Sequence, residues 1–251
     1  MRARARRLPA RGWHPFVRRA RLALCLVAAG QAVAAEPVVI IAASYAGPTT
    51  RYAHAVLGDA IEHTTLVLRY ADGTERRFSL PDDLVFEDTA PRLVDLDFDG
   101  AAEVIAVESS QTKGARLAVY GADGRITSTP HIGTRFRWLA PVGAADLDGD
   151  GVMEIAYVDR PHLAKTLRLW RYENGRLSEL AALPGVTNHR IGEADIAGGI
   201  RTCDGVAEMI VASANWSRLV SVSYMDGAFT TKTLGSDTSR PGFARAMACA
   251  P

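Results

Sequence analysis

The stretch Asp95-Leu96-Asp97-Phe98-Asp99-Gly100-Ala101-Ala102-Glu103 recurs 51 residues later as Asp146-Leu147-Asp148-Gly149-Asp150-Gly151-Val152-Met153-Glu154. Each copy puts four carboxylates within nine residues, on alternating positions and then at the ninth. Charges so crowded repel one another unless a cation lies among them. Hard oxygens on alternate residues suit Ca2+, which accepts roughly six to eight oxygen ligands, and a glycine at the sixth position permits the sharp turn. The ligands expected in the first loop are Asp95, Asp97, Asp99, the backbone carbonyl of Ala101, and Glu103. In the second they are Asp146, Asp148, Asp150, the carbonyl of Val152, and Glu154. An EF-hand would need a bidentate acid at the twelfth position between two helices. Ala106 and Tyr157 stand there, and the residues after each loop are rich in strand formers. The bland alternative is a solvated acidic turn without metal. A third, degraded copy, from Asp195 to Asp204-Gly205-Val206-Ala207-Glu208, is expected to be a metal-free turn, leaving two calcium sites.

An independent feature has the same period. Asp72-Gly73, Asp123-Gly124, Asn174-Gly175 and Asp226-Gly227 place their glycines 51, 51 and 52 residues apart. Such dipeptides between β-rich runs favour type I′ hairpin turns, whose two central residues take positive φ. The residues before each turn alternate in register, with Leu66, Leu117, Arg168 and Val220 seven before the glycine and Leu68, Val119, Trp170 and Val222 five before it.

Each repeat therefore reads as four short strands, in one copy Pro141–Ala145, Ile155–Val158, Thr166–Tyr172 and Arg176–Leu180. The fold class expected is all-β: a β-propeller of four four-stranded blades. The ring would close by pairing the chain ends, with Gly242–Cys249 as an innermost strand beside Val38–Ala43. Five blades are the alternative if Ser44–Ile61 supplies a further strand.

The first 34 residues carry eight Arg and no acid, then an apolar run and small residues around Ala34. This is the pattern of a secretory signal, so residues 1–34 are expected to direct export and 36–251 to form the propeller, periplasmic or secreted. Without that segment 21 basic and 28 acidic residues remain, a net charge of about −7, and no nucleic-acid footprint. No apolar run in the rest is long enough for a membrane span. Cys203 and Cys249 would then be the remaining cysteines and are expected to form a disulfide on one face of neighbouring blades.

Asp-x-Asp-x-Asp-Gly-x-x-Glu followed by a β-run, repeated about every fifty residues, resembles the FG-GAP/VCBS repeats of integrin α-chain propellers. The resemblance implies calcium at the acidic loops and a binding role. Acidic loops and Asp-Gly turns would share one face. The opposite face would collect Arg135, Trp138, Asp159 and Arg160, with His162, Asn188, His189 and Trp216 from further loops. Aromatic and Arg side chains there suit a protein, small-molecule or glycan ligand. A catalytic motif is lacking, and the alternative is a periplasmic hydrolase or metal-dependent enzyme built on His162, His189 and Asp159.

Overall fold

In the computed structural model the described residues are 38–250, so the segment read as an export signal lies outside them. The chain forms four successive antiparallel groups of strands. The first holds β1 (Ile40–Thr49), β2 (Glu62–Tyr70) and β3 (Glu75–Ser79). In the second, the inner strand is split into β4 (Leu84–Phe86) and β5 (Arg92–Val94), both paired with β6 (Glu103–Ser110), and β7 (Gly114–Gly121) and β8 (Gly124–Ser128) follow. The third is β9 (Leu139–Ala145), β10 (Met153–Asp159), β11 (Thr166–Glu173) and β12 (Arg176–Pro184). The fourth has another split inner strand, β13 (Val186–Thr187) and β14 (Gly199–Cys203), then β15 (Val206–Ser213), β16 (Leu219–Met225) and β17 (Ala228–Gly235).

Strand periodicity explains the stacking. Side chains alternate between the two faces of a strand, and β6 is buried along its whole length. Its Val104 and Ala106 pack with Leu66 and Leu68 of the first group. Ile105 and Val107, one step out of phase, pack with Ile155 and Tyr157 of the third. On β10, Ala156 and Val158 in turn meet Met209 and Val211 of β15. Strands covered on both faces must be apolar at nearly every position, hence the uninterrupted runs after each acidic loop.

The chain's end corrects the expected closure. Residues Arg240–Met247 form a helix, α1, not an innermost strand. Ser239 caps it, its side chain accepting from Gly242 N, and Pro241 occupies the first turn, where its missing N–H costs nothing. The segment holds no β-branched residue, and Ala and Arg favour helix. Phe243 and Ala246 cover Ile210 and Ala212, the face of β15 that a further blade would otherwise bury. Thus α1 caps the stack, and among the described residues no strand pairing joins the last group to the first.

Two further expectations are modified. The first group has three strands, and β4 bridges it to the second through His63 and Phe86. Residues 44–49 prolong β1, while Tyr52 and Val56 of the following loop are buried, so 44–61 supplies no fifth-blade strand. Of the four repeated turns, Asn174-Gly175 and Asp226-Gly227 have positive φ at both residues, whereas at the first two only the glycine does. Asp72 instead fastens its turn by accepting from Thr74 N and Oγ1.

Candidate functional sites

Each acidic loop joins an inner strand to the next strand of its group. Asp95, Asp97 and Asp99 each bring a carboxylate oxygen within 4.8 Å of the others, as do Asp146, Asp148 and Glu154. The backbone shapes both loops alike. Gly100 N donates to Asp95 Oδ2 at 3.0 Å and Gly151 N to Asp146 Oδ2 at 3.0 Å, while Ala101 N and Val152 N donate to Asp99 and Asp150. Positions four and six have positive φ, filled by Gly149 and Gly151 in one loop but by Phe98 and Gly100 in the other. Glu103 and Glu154 each accept from the backbone N–H of the residue after the first Asp, Leu96 and Leu147. Burial pushes both glutamate pKa values up, and the neighbouring aspartates push the same way.

The loops differ in how their charge is met. Arg171 reaches the second from β11, with Nη2 2.8 Å from Asp148 Oδ2 and 2.8 Å from Asp150 Oδ2, and Nε 3.0 Å from Glu154 Oε1. Among the described residues no cationic side chain pairs with Asp95, Asp97, Asp99 or Glu103, and Asp95 Oδ1 is buried without a hydrogen-bond partner. This orphaned oxygen and the all-oxygen donor set fit a hard cation. The third copy is a tight hairpin at Asp204-Gly205, both with positive φ. There Arg201 binds Glu208, and Asp195 lies apart, 2.6 Å from Arg240.

On the face bearing the β10–β11 and β8–β9 loops, a pocket of about 200 Å³ is lined by His54, Phe136, Arg137, Trp138, Arg160, Pro161, His162, Leu163 and Ile191. The loop after β1 supplies His54, whose Nδ1 lies 2.5 Å from Oε1 of fully buried Glu87. Burial raises the Glu87 pKa, and His54 pulls it back. Ser109 donates to the other oxygen of Glu87, and Trp138 Nε1 donates to its carbonyl at 2.8 Å. Tyr52 OH accepts from Phe136 N, and Gly192 N donates to Val56 O, so this loop ties the first group to connections elsewhere in the stack. Across the pocket His162 Nε2 is 3.0 Å from His189 Nδ1. Burial, with His189 and His54 adding to it, depresses the His162 pKa to about 4.

The expected face residues divide by burial. His162 and His189 do meet, but Asp159 does not join them, because Arg160 and Arg168 hold its carboxylate. Asn188 and His189 are fully buried, and Trp138 is 2% exposed, so these three pack the site rather than present themselves. Asn188 donates to the carbonyls of Ala140 and Pro141. Arg135 stacks on Phe136 at the rim, and Trp216 lies beneath Arg190 and against Phe243. Sequence reasoning missed Glu87, Phe136, Leu163 and Ile191 as parts of one site. Their spacing carries no repeat signal. Cys203 and Cys249 have Cα atoms 6.0 Å apart and sulfurs at disulfide distance, although the route is α1 turning back on β14 and not a neighbouring blade.

Among the described residues no helix is long and apolar enough to cross a membrane. Comparison with family models matches residues 95–157 to the FG-GAP-like repeat. No curated protein matches the chain.

Proposed function

With residues 95–157 an FG-GAP-like repeat, we propose that the chain is an exported, calcium-stabilised protein-binding module of propeller-type blades. The repeat points to a β-propeller-like binding module. Calcium would be held by Asp95, Asp97, Asp99, the carbonyl of Ala101 and Glu103, and by the corresponding second set Asp146, Asp148, Asp150, the carbonyl of Val152 and Glu154. A bound ion would neutralise the carboxylates and fix the turn between inner and second strands, keeping the blade rigid. The partner would meet the opposite face.

One observation carries the calcium reading: the buried Oδ1 of Asp95, which among the described residues has no hydrogen-bond partner and lies in a carboxylate cluster with no cationic side chain paired to it. A buried acceptor without a partner is costly, and a divalent cation removes that cost. Sites outside the cytosol need only roughly millimolar affinity. At calcium about ten times such a Kd the folded state gains about 1.4 kcal/mol. Thermal melts with and without calcium test the reading; a midpoint that calcium does not move, with calorimetry showing no heat of binding, overturns it.

A further inference from the structure

The pocket between His54 and His162 has features that specify what could enter it. Its volume of about 200 Å³ compares with the roughly 150 Å³ cavity that holds benzene, so it accommodates a single six-membered ring with a small substituent. Two large apolar side chains flank it in unusual exposure, Leu163 at 63% and Ile191 at 72%. Arg137 and Arg160 line it, and Arg135 stands beside it on the Phe136 ring.

The hydrogen bonds settle which histidine nitrogens accept. His189 Nε2 lies 2.8 Å from the carbonyl oxygen of Glu193. A carbonyl only accepts, so that nitrogen carries the proton and the neutral ring has its lone pair on Nδ1. His162 Nε2 is the group beside Nδ1 and must donate to it. The neutral His162 ring is left with an acceptor at Nδ1, for which no partner stands among the described residues. Burial keeps both rings neutral near pH 7, pushing each pKa down. On the opposite wall Glu87 takes the Nδ1 edge of His54, which turns Nε2 away from that carboxylate.

Backbone strain gathers at the same place. Ala55, next to His54, and the lining residues Phe136 and Arg160 all have positive φ, at 57°, 57° and 45°. Non-glycine residues held there cost free energy and concentrate at ligand sites.

We propose that this pocket receives a tyrosine side chain from an acidic segment of a partner protein, with its ring beside Phe136, Leu163 and Ile191 and its hydroxyl donating to a histidine ring nitrogen. A lysine or arginine side chain would meet the repulsion of Arg137, Arg160 being already paired with Asp159. A phenylalanine would bring no hydroxyl to the unpartnered Nδ1 of His162. Indole is larger than the single ring the volume suits. Arg135 and Arg137, which pair with no acid among the described residues, select acidic neighbours on the partner, and buried aromatic anchors of this kind dominate many interfaces.

The inference rests on the protein-binding reading, and the probes separate the two. Calorimetric titration would use the blocked tripeptide Glu-Tyr-Glu and its Glu-Phe-Glu counterpart with the calcium-loaded full chain. The tyrosine peptide is expected to bind about tenfold more tightly, the value of one good hydrogen bond. His162→Phe should erase that preference while lowering the melting temperature by only a few degrees, since the buried Nδ1 of His189 loses its donor. Leu163→Glu, at an exposed position, should weaken both peptides. Equal binding of the two peptides, or no binding at millimolar peptide by a protein that calcium still stabilises, overturns the pocket assignment and leaves the calcium-stabilised scaffold standing. Tyrosine selectivity in a protein indifferent to calcium would do the reverse.

Discussion

Arg171 stands opposite Glu154 across the β10–β11 pair and reaches past it to within 2.8 Å of Asp148. In the second group Val104 pairs with Tyr120, so the residue facing Glu103 is Gly121. Among the described residues, one acidic loop thus carries its own counter-charge and the other does not. Calcium must displace a guanidinium in the second loop but meets only carboxylates in the first. Asp95→Asn is therefore expected to remove more of the calcium-induced rise in melting temperature than Asp146→Asn, most of about 1–2 kcal/mol at saturating ion. Arg171→Met should lower the midpoint in chelator and increase the gain on adding calcium. Equal calcium responses of the two Asp variants would contradict this asymmetry.

Glu108 is fully buried on β6 and is held by Arg116 through Nη2 at 2.5 Å, by Arg125 at 3.1 Å and by the hydroxyl of Tyr120. Removing a partner from a buried ion pair leaves an uncompensated charge. Arg116→Met should destabilise by about 3 kcal/mol, the lower end of the usual range because Arg125 stays. Urea unfolding of the variant measures it.

Glu62 is 3% exposed at the start of β2, and burial with Glu87, Asp59 and Asp88 nearby raises its pKa to about 9. Its folded value lies above its unfolded value, so the folded state holds the proton more tightly. Its contribution is complete below the unfolded value of about 4.5 and declines as pH rises towards about 9. Glu62→Gln should flatten this alkaline decline and raise the melting temperature at pH 7.5 by several degrees, at about 2–4 °C per kcal/mol for a domain this size. A variant melting profile with an unchanged alkaline slope would refute the assignment.

The bond between Cys203 and Cys249 spans 46 residues and pins the end of α1 to the hairpin that follows β14. Converting both to Ser should cost about 3–4 kcal/mol by the loop-entropy relation. Phe243 and Ala246 would then hold the cap alone over Ile210 and Ala212. Hydrogen exchange should quicken first in α1 and β15, while β6 and β10 stay protected.

Much of the strand layout was legible because it is local. A period of two, recurring turn dipeptides and a repeat near 51 residues placed β9 through β12 close to their observed bounds. The acidic loops were legible for the same reason, since their carboxylates lie within nine residues of one another. The end of the chain was misread because spacing alone argued for a strand. The capping Ser239, Pro241 and the absence of β-branching were local signals that favoured helix.

By itself, then, the order of residues determined the repeats, the turns and the clustering of acids, all consequences of short-range geometry. Tertiary packing decided what those parts meet. It brought His54 to Glu87 and His162 to His189, residues 33 and 27 positions apart. Among the described residues it gave the second acidic loop an arginine and the first none, and it packed α1 over Ile210 and Ala212 of β15. Such pairings depend on how whole groups of strands stack against one another, and that arrangement is set by apolar area buried across the sheets rather than by any neighbouring residue.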